Sequence, residues 1–360
     1  MLVKGTRLLG ELLPKLARSA LNHLHLVAVV TSPLQVTSVT NPSIPGAAFF
    51  SPLVLKHPWR AAEFLLHEAL HLKFIDLEHT HSMLRRGYAA EGSPRIRAVW
   101  NRSQPDGSNE WPANRVLTVL HVYTSLALFF RAVELRVQEI GERYGSLYDL
   151  NPGVAACRAL DRAYYLALNV KDVRQELGLA GERFADWLLG LLEALDPRTR
   201  SAHLNAHLLL DLYERETEQI TRVIAGASLL ELRSKAKYSN FAGASLQQVI
   251  GDLVQSEVAS TDRLLSDIGG GISPFAGTDD ECQVLSTAMG NATPAEIAAK
   301  FCSVRSLISL SLRKAVAKAH EPVLQAEYLI RIEQHVGAMV EHSATHIKAL
   351  NERGRHRDPD

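Results

Sequence analysis

The sequence predicts a mainly α, formally α+β, fold: predominantly helical, with one small β element near the N-terminus beside a long helix. Three observations carry that prediction. Leu and Ala recur at helical spacing through most of the 360 residues, from 59 to about 86 without a single Gly or Pro. β-Branched residues cluster in one place, between positions 26 and 39. Turn-forming residues gather mainly in two stretches, 87–114 and 267–281, rather than at the 8–12-residue spacing of an all-β chain.

Taken in order, residues 5–24 read as helix divided by Pro14. LVAVVTSPLQVTSVT and AAFFSPLVL read as two short extended segments on either side of the Pro/Gly turn NPSIPG. Pro58 suits a first helical position, and the helix it opens is predicted to run to Arg86. Residues 87–114 form a long loop, a length usually reserved for function. A second strong helix covers 116–144, and nearly everything to 350 is helical, broken at 267–281 by three consecutive glycines and a proline. Thr293 and Glu296 form a capping box with Pro294 between them. The expected organisation is a metal-binding region over 1–145, a helical region over 146–350 and a flexible tail over 351–360.

Lys and Arg number 39, Asp and Glu 39, so the formal charge is zero, and the two signs alternate along the chain. A protein that neutralises many phosphates shows a clustered positive excess, so no nucleic-acid partner is expected. Cys157, Cys282 and Cys302 are odd in number and in no CxxC pair, which excludes a disulfide framework and a thiolate zinc site and points to a reducing cytoplasm. The first thirty residues lack the apolar core of a secretory signal. No membrane span is expected, since the most apolar stretch, 122–130, contains Thr124 and Ser125.

Chemistry enters at His67-Glu68-Ala69-Leu70-His71, an HExxH sequence. Side chains four apart on a helix stand on one face, so both imidazoles reach one ion, while Glu68 points aside by about 100°. The motif lies mid-helix, where Phe64, Leu65, Ala69, Leu70 and Leu72 supply apolar packing to hold it rigid. A reactive site of this type needs a third protein ligand and an open position. The pattern with a glycine and a histidine three and six residues further on is absent, since Phe74 and Leu77 stand there. His79 and His81 lie roughly 12–15 Å along the helix axis, too far to close the site, and read as solvated residues at a helix terminus. Two candidates remain. Glu91 has the spacing of the glutamate ligand in thermolysin-like zinc peptidases, but Gly92-Ser93-Pro94 would stop the helix that normally presents it. His121 sits in a strongly apolar helix, where an imidazole is bonded to something or costly to bury.

The stretch from Ser43 to Leu84, with IPGAAFFSP before the HEALH helix, then Trp100-Asn101 and Arg115 to His121, resembles the HExxH-containing peptide-modification proteins found beside ribosomally made natural-product peptides. The resemblance covers about residues 26–135. It implies an iron(II), 2-oxoglutarate-dependent oxygenase that hydroxylates β-carbons of a precursor peptide, with His67, His71 and His121 as ligands and Arg115 as anchor. Val116 stands where a proline commonly follows the arginine in that family.

The residue types suit this chemistry. Three imidazoles on one face of iron(II) leave room for a chelating 2-oxo acid and dioxygen. Zinc on the same ligands typically keeps one position for water, which is hydrolase chemistry. A guanidinium grips a distal carboxylate with two parallel hydrogen bonds, so Arg115, with Arg102 and Arg97 in reserve, is the candidate co-substrate anchor. Trp100 and Trp111 line a peptide groove or cover the loop as apolar bulk. Glu68 separates the mechanisms: in a peptidase it is the general base, in an oxygenase it orients a ligand or a bound water. The alternatives to the oxygenase are a zinc-dependent HExxH metallopeptidase and a non-enzymatic helical interaction protein. The C-terminal half serves as scaffold, homodimer surface or substrate-recognition region; periodicity does not distinguish these.

Overall fold

The computed structural model describes residues 1–31, 37–101, 109–147, 150–196, 204–228, 244–268, 275, 278, 292–318 and 325–353. Helices make up 75% of it and the strands are few and short, so the mainly α fold with a small β element stands. By its internal contacts the chain forms two units, Met1–Arg97 with Glu110–Thr199, and Ala98–Asn109 with Arg200–Asp360.

In the first unit α1 (Leu2–Leu12) and α2 (Pro14–Leu21) part at Leu13, whose φ of −137° and ψ of 64° reflect the exclusion of helical geometry before proline. The β element has three strands where two extended segments were expected, because residues 26–39 contribute two: β1 (Leu26–Val29), β2 (Ser38–Thr40) and β3 (Ala47–Phe50). Their order is β1-β3-β2, with β1 parallel and β2 antiparallel to β3. Ala48 and Phe50 turn inward onto Val54 and Leu65. Ser38 pairs with Phe50 and Thr40 with Ala48, so both hydroxyls share that inner face.

Pro58 opens α3 (Pro58–Thr80) at its first position. The helix ends at Thr80, not at Arg86. The Thr80 hydroxyl turns back onto the Asp76 carbonyl at 2.7 Å, and the chain leaves to bond with a distant segment: Gly178 N donates to Met83 O at 3.1 Å and Arg85 N to Glu176 O at 2.9 Å. A Cβ at Gly178 or Gly181 would run into the carbonyl oxygens of Ser82 and Met83, so this crossing requires glycine. The loop expected over 87–114 holds a two-residue ladder, β4 (Ile96–Arg97) with β5 (Glu110–Trp111).

The helix expected over 116–144 is two, α4 (Ala113–Leu135) and α5 (Val137–Tyr144). They break at Arg136, whose guanidinium bonds the Glu139 carboxylate and the Glu11 carbonyl. α4 is long and apolar enough to cross a membrane, but 67% of its most apolar window is buried inside the fold; it is the core helix on which α3, α6 (Pro152–Asn169) and α7 (Leu179–Leu195) pack. That packing places the expected boundary at residue 145 inside this unit.

The second unit is a bundle of α8 (Leu204–Gly226), α9 (Leu246–Asp267), α10 (Pro294–Lys318) and α11 (Gln325–Arg353). Its core includes Tyr213, Phe301, Ile332 and Val336. Thr293 and Glu296 make the predicted capping box: Thr293 N donates to Glu296 Oε2 at 2.7 Å and Glu296 N to Thr293 Oγ1 at 3.3 Å. Arg305, fully buried, bonds both carboxylate oxygens of Glu257 at 2.9 and 2.7 Å, and Tyr213 donates to the same carboxylate at 2.8 Å. Most of the break at 267–281 and of the tail at 351–360 lies outside the described residues.

Candidate metal centre

The site begins with one turn of α3. Leu66, Ala69 and Leu70, all fully buried, fix the helix's inner side. His67 and His71, four residues apart, face each other with Nε2 atoms 3.2 Å apart and ring centroids 4.9 Å apart. Two nitrogens bound to one ion at about 2.0–2.1 Å stand about 2.9 Å apart at right angles and about 3.4 Å apart at a tetrahedral angle. The observed spacing lies between those limits.

The charge states agree with that use, since only neutral imidazole binds a metal. Burial pushes His67 down to about 3, with His71 beside it adding to the effect. Burial pushes His71 down to about 4, helped by the positive field of Arg115. Glu68 points aside, 3% exposed, with Oε1 accepting from the Ser38 hydroxyl at 2.5 Å and lying 3.9 Å from His67 Nε2. Burial raises its carboxyl to about 6, and hydrogen bonds from Ser38 and Thr40 work against that rise.

His121 comes from the middle of α4 and is 1% exposed. It is pushed down to about 3 by burial first, then by Lys73 and by His71, so the third imidazole sits within the electrostatic reach of the pair. Its Nδ1 is buried and, among the described residues, has no hydrogen-bond partner. An orphaned nitrogen of this kind costs free energy unless something fills its lone pair or takes its proton. Among the described residues no three His, Cys, Asp or Glu side chains form a closed metal cluster. The structure assembles the His67–His71 pair and brings His121 near it without closing the triplet. The donor set, neutral and nitrogen-based with one nitrogen unused, fits a divalent transition ion.

The other candidates fall elsewhere. Glu91 is exposed on the short turn Ala90–Gly92. His79 and His81 are exposed at the end of α3, as the helix geometry predicts. Arg115 stands in the first turn of α4, its outer edge in solvent and its guanidinium 4.8 Å above the Trp111 ring. Arg97 is exposed in β4, and Arg102 lies outside the described residues. Trp100 and Trp111 are 1% and 3% exposed, which makes both apolar bulk rather than groove walls.

Four residues at or near the site escaped the sequence reading. Ser38 and Thr40 hold Glu68 from a strand some thirty residues away, and no local pattern announces such a pairing. Phe184 on α7 packs against His121 with centroids 5.1 Å apart. Glu63 lies one turn before His67, and burial raises its carboxyl to about 7 against the lowering field of Arg60; its four-residue spacing from His67 was the available signal. No family model matches the chain, and no curated protein matches it.

Proposed function

We propose that this chain is a non-haem iron(II), 2-oxoglutarate-dependent oxygenase that hydroxylates, at a β-carbon, a residue of a ribosomally made precursor peptide or a related natural-product intermediate. The observation that carries the reading is the trio of neutral imidazoles: a facing pair 3.2 Å apart and a third, buried, with an unused Nδ1. The resemblance of residues 26–135 to the HExxH peptide-modification proteins supplies the reaction class. A bound iron(II) would activate dioxygen, the oxidant, so that one oxygen atom enters the C–H bond of the substrate and the other goes to succinate as 2-oxoglutarate loses carbon dioxide.

The chain's own side chains have distinct tasks in this reading. His67, His71 and His121 hold the ion, and their resistance to protonation keeps the lone pairs available at neutral pH. Arg115 offers a planar cation near His71, stacked on Trp111 and therefore limited in its motion, to a carboxylate of the co-substrate. Glu68, tied to β2, orients His67 or a water beside it.

The same carboxyl favours one second reading. A glutamate raised to about 6 beside a histidine pair suits the general base of a zinc peptidase. The deciding experiment incubates protein purified without oxygen with iron(II), 2-oxoglutarate and a library of short peptides, then admits dioxygen. Succinate formation with a 16-dalton gain on a peptide supports the oxygenase. Peptide cleavage with zinc and no oxygen overturns it in favour of the peptidase. Absence of any bound divalent metal under both conditions leaves only the helical interaction protein.

A further inference from the structure

The ring of His121 is held in a way hydrogen bonding does not explain. Metal-binding histidines usually donate their second ring nitrogen to a carboxylate, a carbonyl or water, which fixes both tautomer and ring plane. Among the described residues no hydrogen bond of that kind orients His121, whose Nδ1, the nitrogen left for the ion, is buried without a partner. The ring instead meets Phe184 in a T-shaped arrangement, centroids 5.1 Å apart and planes at 75°. Phe184 is itself held from two sides. It tilts against fully buried Phe74 on α3 at 6.0 Å, and it stacks on Trp187, one turn on along α7, at 5.7 Å and 27°. One phenyl ring therefore joins the helix of the histidine pair to the helix of the third histidine.

We propose that Phe184 is the positioning residue for His121, an aromatic wall doing by shape what a hydrogen-bonded carboxylate does elsewhere. Turning the imidazole about its Cβ–Cγ bond would drive it into the phenyl ring, which Phe74 and Trp187 keep from yielding. A branched aliphatic side chain of similar volume presents no flat face and leaves the imidazole free to turn. The inference rests on the metal-centre reading and extends that centre onto α7.

Cobalt(II) alone is the probe, titrated into wild type, Phe184→Leu and Phe184→Tyr and followed by its visible absorption, with 15N imidazole spectra of each protein free of metal. Phe184→Leu is expected to bind cobalt about 10–100-fold more weakly, the usual cost of losing an orienting partner, with an altered absorption band and His121 signals averaged between two states. Phe184→Tyr, which keeps the ring, retains the wild-type band and signals. Should Phe184→Leu fold poorly, Trp187→Leu at a position 54% exposed removes the outer support and shifts both readouts in the same direction. Wild-type affinity, band and His121 signals in Phe184→Leu would overturn the inference and leave the metal centre standing. If wild type takes up no cobalt, the metal centre falls, and the metal-free spectra alone then decide whether Phe184 holds the ring.

Discussion

The Ser38 hydroxyl donates to Oε1 of Glu68 at 2.5 Å and so ties the second strand of a three-stranded sheet to the acid of the HExxH turn. Because Thr40 acts on the same carboxyl, the acid is restrained from one side while His67 lies 3.9 Å from it. Ser38→Ala removes an interaction that lowers the Glu68 carboxyl, so that group rises further above its usual range. In the oxygenase, Glu68→Gln is expected to leave partial turnover, since the amide still accepts from Ser38. In a peptidase it abolishes cleavage. Succinate and peptide products measured on both variants distinguish the outcomes.

The third ligand is tested by metal content. His121→Ala should lower iron or zinc affinity sharply, whereas Glu91→Ala, which alters an exposed turn, should bind as wild type. Equilibrium dialysis with metal analysis reads both. Loss of metal in Glu91→Ala with full occupancy in His121→Ala would move the site to the peptidase arrangement.

Stability of the metal-free protein should vary with pH in two opposed ways. His67, His71 and His121 have folded values of about 3, 4 and 3 against an unfolded 6.5. Their contribution is complete above 6.5 and lost as pH falls towards those folded values, each group adding a slope of at most about 1.4 kcal/mol per pH unit. Glu63 and Glu68 have folded values of about 7 and 6 against an unfolded 4.5. Their contribution is complete below 4.5 and lost as pH rises through 6 to 7. The two sets oppose each other from 4.5 to 6, three imidazoles against two carboxyls, so urea midpoints should fall towards acid there with the slope of about one group, about 1.4 kcal/mol per pH unit, and go on falling below 4.5 until the imidazoles reach their folded values. Glu63→Gln should gain stability over wild type progressively from 4.5 to 7 and no further; an equal difference at pH 4 and pH 8 would refute the assignment.

In the helical bundle, Glu257→Ala leaves Arg305 charged, fully buried and without its bidentate acceptor. Removing one partner of such a pair costs about 3–5 kcal/mol, whereas replacing both by apolar residues is often neutral or better. Glu257→Ala and the double variant Glu257→Leu/Arg305→Met should therefore differ widely in urea midpoint. Equal midpoints would show that water reaches the arginine.

What local pattern contains, the amino-acid order already announced. A 3.6-residue period marked most helices, Pro58 marked the start of α3, Thr293 and Glu296 marked the start of α10, and the four-residue spacing of His67 and His71 placed two imidazoles on one face. Each of these depends on residues a turn apart, where geometry follows from the backbone alone. Helix ends read less well. α3 stops at Thr80 because Met83 and Arg85 bond residues 176–178, and α4 stops at Leu135 because Arg136 is drawn to Glu11 and Glu139. The hydroxyls on Glu68, the unused nitrogen of His121 and the Phe184 wall beside it come from helices and strands far apart in the chain. Such meetings are set by which apolar faces bury against each other, and burial also moves the carboxyls of Glu63 and Glu68 upward and the three imidazoles downward; no spacing in the linear order encodes that.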